Sequence, residues 1–126
     1  MLTLILLVAI FLVAIYRKRQ EFLPKEAFNR MPTHLLYYAY AQCRMGCIGV
    51  TETDIKTLMQ TGIINMNRSR RALQPCPVFA VQARVRNGYL RVLFEQCHNT
   101  TYVMNCYNLG QDTTCNCSAD YQPKQN

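Results

Sequence analysis

Residues 78–96, VFAVQARVRNGYLRVLFEQ, decide the fold. Residues 78–85 alternate well enough for a strand, Asn87-Gly88 is the dipeptide favoured by a two-residue hairpin turn, and residues 89–96 read as the returning strand. With the turn centred on Asn87-Gly88, residue 78 falls opposite residue 97, and Cys76 and Cys97 come to the same end of the sheet. A second turn at His98-Asn99-Thr100 leads into TYVMNCY at 101–107. Upstream, Ile63-Ile64-Asn65-Met66 suits a short strand, and N-R-S-R-R at 67–71 reads as a basic loop.

Before residue 63 the periodicity is helical. Thr33 is placed to cap a helix containing Leu35, Leu36, Tyr38, Ala39 and Ala41, which ends at Gly46 or Gly49. Tyr37, Tyr38 and Tyr40 are then expected to pack this helix on the sheet. In T51-E-T-D-I-K-T-L-M-Q-T-G62, Thr51 and Asp54 resemble a capping box, and Ile55, Leu58 and Met59 form an apolar stripe. Gly62 is expected to stop the helix in a left-handed conformation. The expected fold is α+β: an N-terminal membrane anchor helix, then two helices packed on a small antiparallel three- to four-stranded sheet.

The chain has 126 residues, a net charge of +7, no Trp, two His and seven acidic residues, which leaves few groups for acid–base catalysis. Residues 1–16, MLTLILLVAIFLVAIY, carry no charged side chain and run into Arg17-Lys18-Arg19. This run is short beside the roughly 20 residues that span a bilayer, and the stems of the three cations extend it. The reading is a transmembrane anchor at 1–19, a tether at 20–33, the α+β domain at 34–110 and a polar, Cys-containing tail at 111–126. Basic residues on the C-terminal flank place the domain in the cytoplasm of a bacterial inner-membrane, single-pass protein. Seven cysteines favour the periplasmic alternative, and their odd number leaves one thiol over in a fully paired scaffold.

Cys43 and Cys47 are four apart and share a helix face. With the C-x-C pair Cys115 and Cys117 they form a four-thiolate set that zinc accepts in a tetrahedron. The same residues suit disulfides, as do Cys76 and Cys97, and the spacing leaves metal, bridges and unpaired thiols open. Cys106 lies mid-strand and reads as a small buried hydrophobe.

The string C43-R-M-G-C47, then T51-E-T-D-I, G62-I-I-N65, Ser69 and Cys76-Pro77, followed by Arg91-Val-Leu-Phe, Cys97 and C115-N-C117, resembles a bacterial family. That family is domain of unknown function 4258, in its cysteine-rich, anchored form, and the resemblance covers roughly residues 38–118. It implies a two-helix-plus-sheet fold of the kind seen in the small toxin ribonucleases barnase and RelE. Tyr40 stands where the family commonly has a His, and Ile48 where a basic residue often follows the second cysteine. Arg44 and Arg91 stay at matching positions, and an arginine pair without a base binds a phosphate without cleaving it.

The function expected is therefore a non-enzymatic interaction module on a single anchor, an accessory subunit of a bacterial membrane complex. Its partners are the bilayer and another membrane protein, not nucleic acid. Contact candidates are Arg44, Arg91 and the basic loop Arg68, Arg70 and Arg71, which suits phosphate, acidic lipid or protein. No cofactor is expected apart from zinc on the cysteines. The alternatives are a tethered ribonuclease-like domain, active or degenerate, and a metal- or redox-responsive module.

Overall fold

A computed structural model describes residues 1–21, 27–73, 76–86, 88–111 and 113–118. Among these residues the elements run α1 (Leu2–Glu21), β1 (His34–Tyr37), α2 (Ala39–Ile48), α3 (Glu52–Thr61), β2 (Ile63–Arg70), β3 (Val78–Val85), β4 (Gly88–Cys97) and β5 (Thr100–Asn108). The strands form one mixed sheet in the order β1-β5-β4-β3-β2, with β1 parallel to β5 and every other pairing antiparallel.

The period of two along β4 separates the two faces of the sheet. Leu90, Val92, Phe94 and Gln96 are buried, while Arg91, Leu93 and Glu95 between them are only partly so. The buried face packs with Ala41 and Met45 of α2 and with Ile55, Leu58 and Met59 of α3, as their helical spacing dictates. Phe28, upstream of β1, joins the same core, with ring centroids 5.2 Å from Phe79 and 5.5 Å from Phe94. Gln96 holds this incoming segment in place, accepting from the Asn29 amide at 2.8 Å and donating to the Asn29 carbonyl at 2.7 Å. Arg30 donates to the carbonyls of Met59 and Gly62 at the end of α3, where unpaired carbonyls gather. The stretch read as the end of a tether thus packs into the domain.

The sheet differs from the expected three- to four-stranded antiparallel one. Residues 34–37 form a strand and not the first turn of a helix, and α2 begins only at Ala39. A four-residue run such as HLLY carries no usable period. Pairing with Thr100–Val103 along the edge of β5 makes it a strand, and Tyr38 continues the contact by donating its amide to the Val103 carbonyl at 3.0 Å. The basic segment belongs largely to β2, which continues to Arg70, leaving Arg71 in a turn. In the hairpin Val85 pairs with Gly88, so the two-residue turn is 86–87, one residue earlier than expected, and Val78 faces Glu95 instead of residue 97. Asn87 lies outside the described residues, and Arg86 takes the positive φ, 47°.

Gly62 is not left-handed, with φ −70° and ψ 161°. Its role is close approach: a Cβ there would meet Val81 Cγ1 at 2.6 Å and the Leu58 carbonyl oxygen at 2.5 Å. The left-handed stop occurs at Gly49, φ 72°, which ends α2.

Residues 2–17 of α1 are exposed throughout, from Leu2 at 82% to Ile15 at 46% among the large apolar side chains. The reading of a transmembrane anchor is corrected here: among the described residues no helix is long and apolar enough to cross a membrane. The 15 uncharged residues of 2–16 rise about 22 Å as a helix, less than the roughly 30 Å of a hydrocarbon core.

The start of α3 is closed by a complete capping box. The Asp54 amide donates to Thr51 Oγ1 at 3.2 Å and the Thr51 amide donates to Asp54 Oδ2 at 2.9 Å. Arg86 in the β3–β4 turn forms an ion pair with the same carboxylate, joining the helix to the hairpin. Hydrogen bonding from Arg86, assisted by Thr51, holds the Asp54 carboxyl below its ordinary value against a smaller opposing effect of burial. A carboxyl lowered on folding stabilises the protein above its unfolded value, and that stabilisation is lost as pH falls through the folded value. Asp54→Asn should therefore lower stability at neutral pH and flatten the loss measured by urea unfolding as pH falls below about 4. Thr51→Ala should cost about 1 kcal/mol, and Gly62→Ala should destabilise through overlap with Val81.

Candidate functional site

Two features stand apart from the core: a pair of disulfides between α2 and the tail, and a basic groove on the open face of the sheet. Cys43 is bonded to Cys117 and Cys47 to Cys115, each with a Cα–Cα distance of 5.9 Å. The two spacings match, and the direction of the tail sets the pairing. Four helical residues rise about 6 Å, and two residues of extended chain advance about 6.6 Å. Tail burial alternates as an extended segment requires, with Cys115 and Cys117 partly buried and Thr114 and Asn116 exposed. The tail runs antiparallel to α2, so both bridges form at once. A third bridge joins Cys76 to Cys97 at the end of the β3–β4 pair, Cα–Cα 5.1 Å.

All six of these sulfurs are bonded in pairs, which leaves none of them as a thiolate for zinc. Among the described residues no group of three or more His, Cys, Asp or Glu side chains could hold a metal ion. Cys106 is free and fully buried, and burial pushes its thiol up to about 11 against a smaller opposing pull from Arg44. A thiol with that value is not a nucleophile at neutral pH.

The five arginine candidates divide. Arg44 projects from α2 to the edge of β5 beyond the reach of β1. There its Nε and Nη2 both donate to the Cys106 carbonyl at 3.3 Å, and its guanidinium lies 5.7 Å from the centroid of the Tyr107 ring. It closes a strand edge. Arg91, Arg68 and Arg70 instead line one open groove of about 840 Å³. Arg71 is exposed in the following turn and is not among the residues that line it.

This groove owes its shape to two irregularities in the sheet. From Asn65 to Arg70 β2 advances five residues while β3, from Ala80 to Val78, moves two, so β2 carries three extra. Ser69 repairs the ladder there, donating to the Asn65 carbonyl at 2.7 Å and accepting from the Ala80 amide at 2.9 Å. On the far side one step of β4, Leu93 to Phe94, faces two steps of β5, Asn105 to Val103, which leaves Met104 as the extra residue. Bulges re-aim side chains, and here residues of both line the groove: Asn67, Arg68 and Ser69 from β2 and Met104 from β5. Val78, Leu93 and Met104 give it an apolar component, and none of its described lining residues is acidic.

Arg91 is held from behind. Its Nε donates to Gln82 Oε1 at 2.8 Å, and the same oxygen accepts from Asn65 Nδ2 at 2.8 Å. Tyr107, Leu93 and Met104 were not candidates from the sequence. The alternation of Tyr89, Arg91, Leu93 and Glu95 is the one sequence signal that marks their face. Tyr40 is partly buried on α2, while His34 and His98 are exposed in separate elements outside the groove.

No protein family, curated protein or solved structure matches the chain.

Closing a loop of 74 residues with the Cys43–Cys117 bridge is worth about 4 kcal/mol on chain entropy. Once either helix–tail bridge exists, the other closes only a few further residues. Replacing Cys43 and Cys117 together by Ser should thus lower the unfolding free energy far less than replacing all four cysteines, which should remove about 4 kcal/mol in urea titrations. Cys106 should resist alkylation in the native protein at neutral pH and react on unfolding.

Proposed function

We propose that this chain is a lipid-associated, disulfide-braced binding module that works without catalysis in an oxidising compartment. The observation that carries this reading is α1: an uncharged apolar surface from residue 2 to residue 16, exposed at every position. At about 25 cal/mol per Å² of apolar surface, such a face is strongly driven out of water. Lipid contact satisfies it without a complete span, and Arg17 at its C-terminal end suits the level of the headgroups.

The three bridges support the extracytoplasmic alternative over the cytoplasmic one, since small domains keep disulfides where thiols are not held reduced. Binding without turnover is supported by the groove on the open face. It gathers cations, while its described lining offers no His or carboxylate to move a proton. With Arg44 engaged at the β5 edge, the pair Arg44 and Arg91 does not act on one ligand in this reading.

The test is flotation of the full chain with vesicles of phosphatidylcholine alone. The chain should rise with the vesicles at low and high salt alike, because the attraction is apolar. A Leu6→Lys, Phe11→Lys variant should remain at the bottom. Full-length protein that stays soluble, monomeric and unbound would overturn the reading.

A further inference from the structure

We propose that the groove between the two bulges binds a phosphate monoester carried on an apolar body. This deepens the reading of the open face as a binding surface and names the ligand class for it. Arg68, Arg70 and Arg91 bring three positive charges to one groove, and its described lining brings no acid to balance them. Among the described residues, no ion pair engages the guanidinium groups of Arg68 and Arg70. Like charges gathered without a counter-charge raise the energy of the empty site, and a bound anion relieves it.

The site is also built for such an anion. Gln82 takes only Nε of Arg91, and Gln82 is itself fixed by Asn65 and by its own donation to the Tyr89 hydroxyl at 3.4 Å. Among the described residues no hydrogen bond engages the two terminal nitrogens of Arg91, which lines the groove, and together they form the fork that suits two oxygens of one phosphate. Arg68 and Arg70, two apart in β2, line the same groove. The irregular register there brings Asn67 and Ser69 into the lining as well, where a regular strand would turn them to the other face. Ser69 and Asn67 add polar lining beside the two arginines.

Charge and volume decide the class. A monoester carries about −1.5 to −2 at neutral pH, a better match to three cations than a single carboxylate. The groove, about 840 Å³, exceeds what a bare phosphate fills, and Val78, Leu93, Met104 and Leu73 offer apolar contact to whatever the phosphate is attached to. Single-stranded nucleic acid fits less well, because it needs successive aromatic platforms. Tyr107, the one aromatic residue of its described lining, is already engaged, accepting from Asn105 Nδ2 at 2.7 Å and lying under Arg44.

The experiment is calorimetric titration of the full chain in a non-ionic detergent with hexyl phosphate, inorganic phosphate and a short RNA oligonucleotide. Hexyl phosphate should bind at least about tenfold more tightly than inorganic phosphate, since each buried methylene adds to affinity. Arg91→Gln should weaken it roughly ten- to a hundredfold, and Arg91→Lys should recover only part of the loss because the fork is gone. Arg84→Gln, on the same sheet face outside the groove, should change nothing, and melting curves establish that each variant is folded. Repeating the titration in phosphatidylcholine vesicles with and without phosphatidic acid separates the sources. Suppression by phosphatidic acid makes the ligand a lipid headgroup, and no suppression makes it a soluble ester. No binding of hexyl phosphate, binding unaffected by Arg91→Gln in a folded protein, or tighter binding of RNA would overturn the proposal. Because the detergent titration does not require vesicle binding, it can fail while flotation succeeds, and the reverse.

Discussion

The two parallel bridges between α2 and the tail are the constraint on which the rest of the domain depends. They hold because a C-x-x-x-C on a helix and a C-x-C on an extended chain advance by nearly the same distance, so both sulfur pairs meet without distortion. With the tail fixed along it, α2 is held against β5 past the end of β1. Arg44 can then serve the Cys106 carbonyl, which has no strand beside it. The sheet edge is thus covered in two halves, by a short parallel strand and by a helix. An uncovered edge would invite pairing with another chain.

On this braced frame the two faces of the sheet diverge. The inner face is continuous: Phe28, Phe79 and Phe94 meet the apolar stripes of α2 and α3, and a small domain gains most of its stability there. The outer face is interrupted twice, at β2 and at Met104, and the interruptions border the same groove. Bulges cost ladder hydrogen bonds, and Ser69 replaces one of them with its side chain.

Much of this was legible in the sequence. The capping box Thr51–Asp54, the stripe Ile55, Leu58 and Met59, the strands 78–85 and 89–96 and the burial of Cys106 all follow from local rules. What failed were features set by distant partners. His34–Tyr37 reads as readily helical as extended, and only the edge of β5, some 65 residues on, decides it. The hairpin register moved because Arg86 accepted a positive φ that the sequence rule assigns to Asn and Gly. The groove was half visible: Arg68, Arg70 and Arg91 could be named, but nothing local revealed that the sheet order would bring β2 and β4 to one groove or that Arg44 would be drawn away. The cysteine spacings were the underused signal, since four helical and two extended residues advance by nearly the same distance and let both helix–tail bridges form together. The direction of the tail, which the spacing does not carry, selects the observed pairing.

The most direct test of the central claim is mass-spectrometric mapping of the disulfides in the full chain, purified without reductant. Cleavage after Arg44 separates Cys43 from Cys47, and fragmentation at Asn116 separates Cys115 from Cys117. Cys43 should be found with Cys117, Cys47 with Cys115 and Cys76 with Cys97, and Cys106 should be the single free thiol. Crossed pairing of the helix and tail cysteines, or four reduced thiols among them, would contradict the claim.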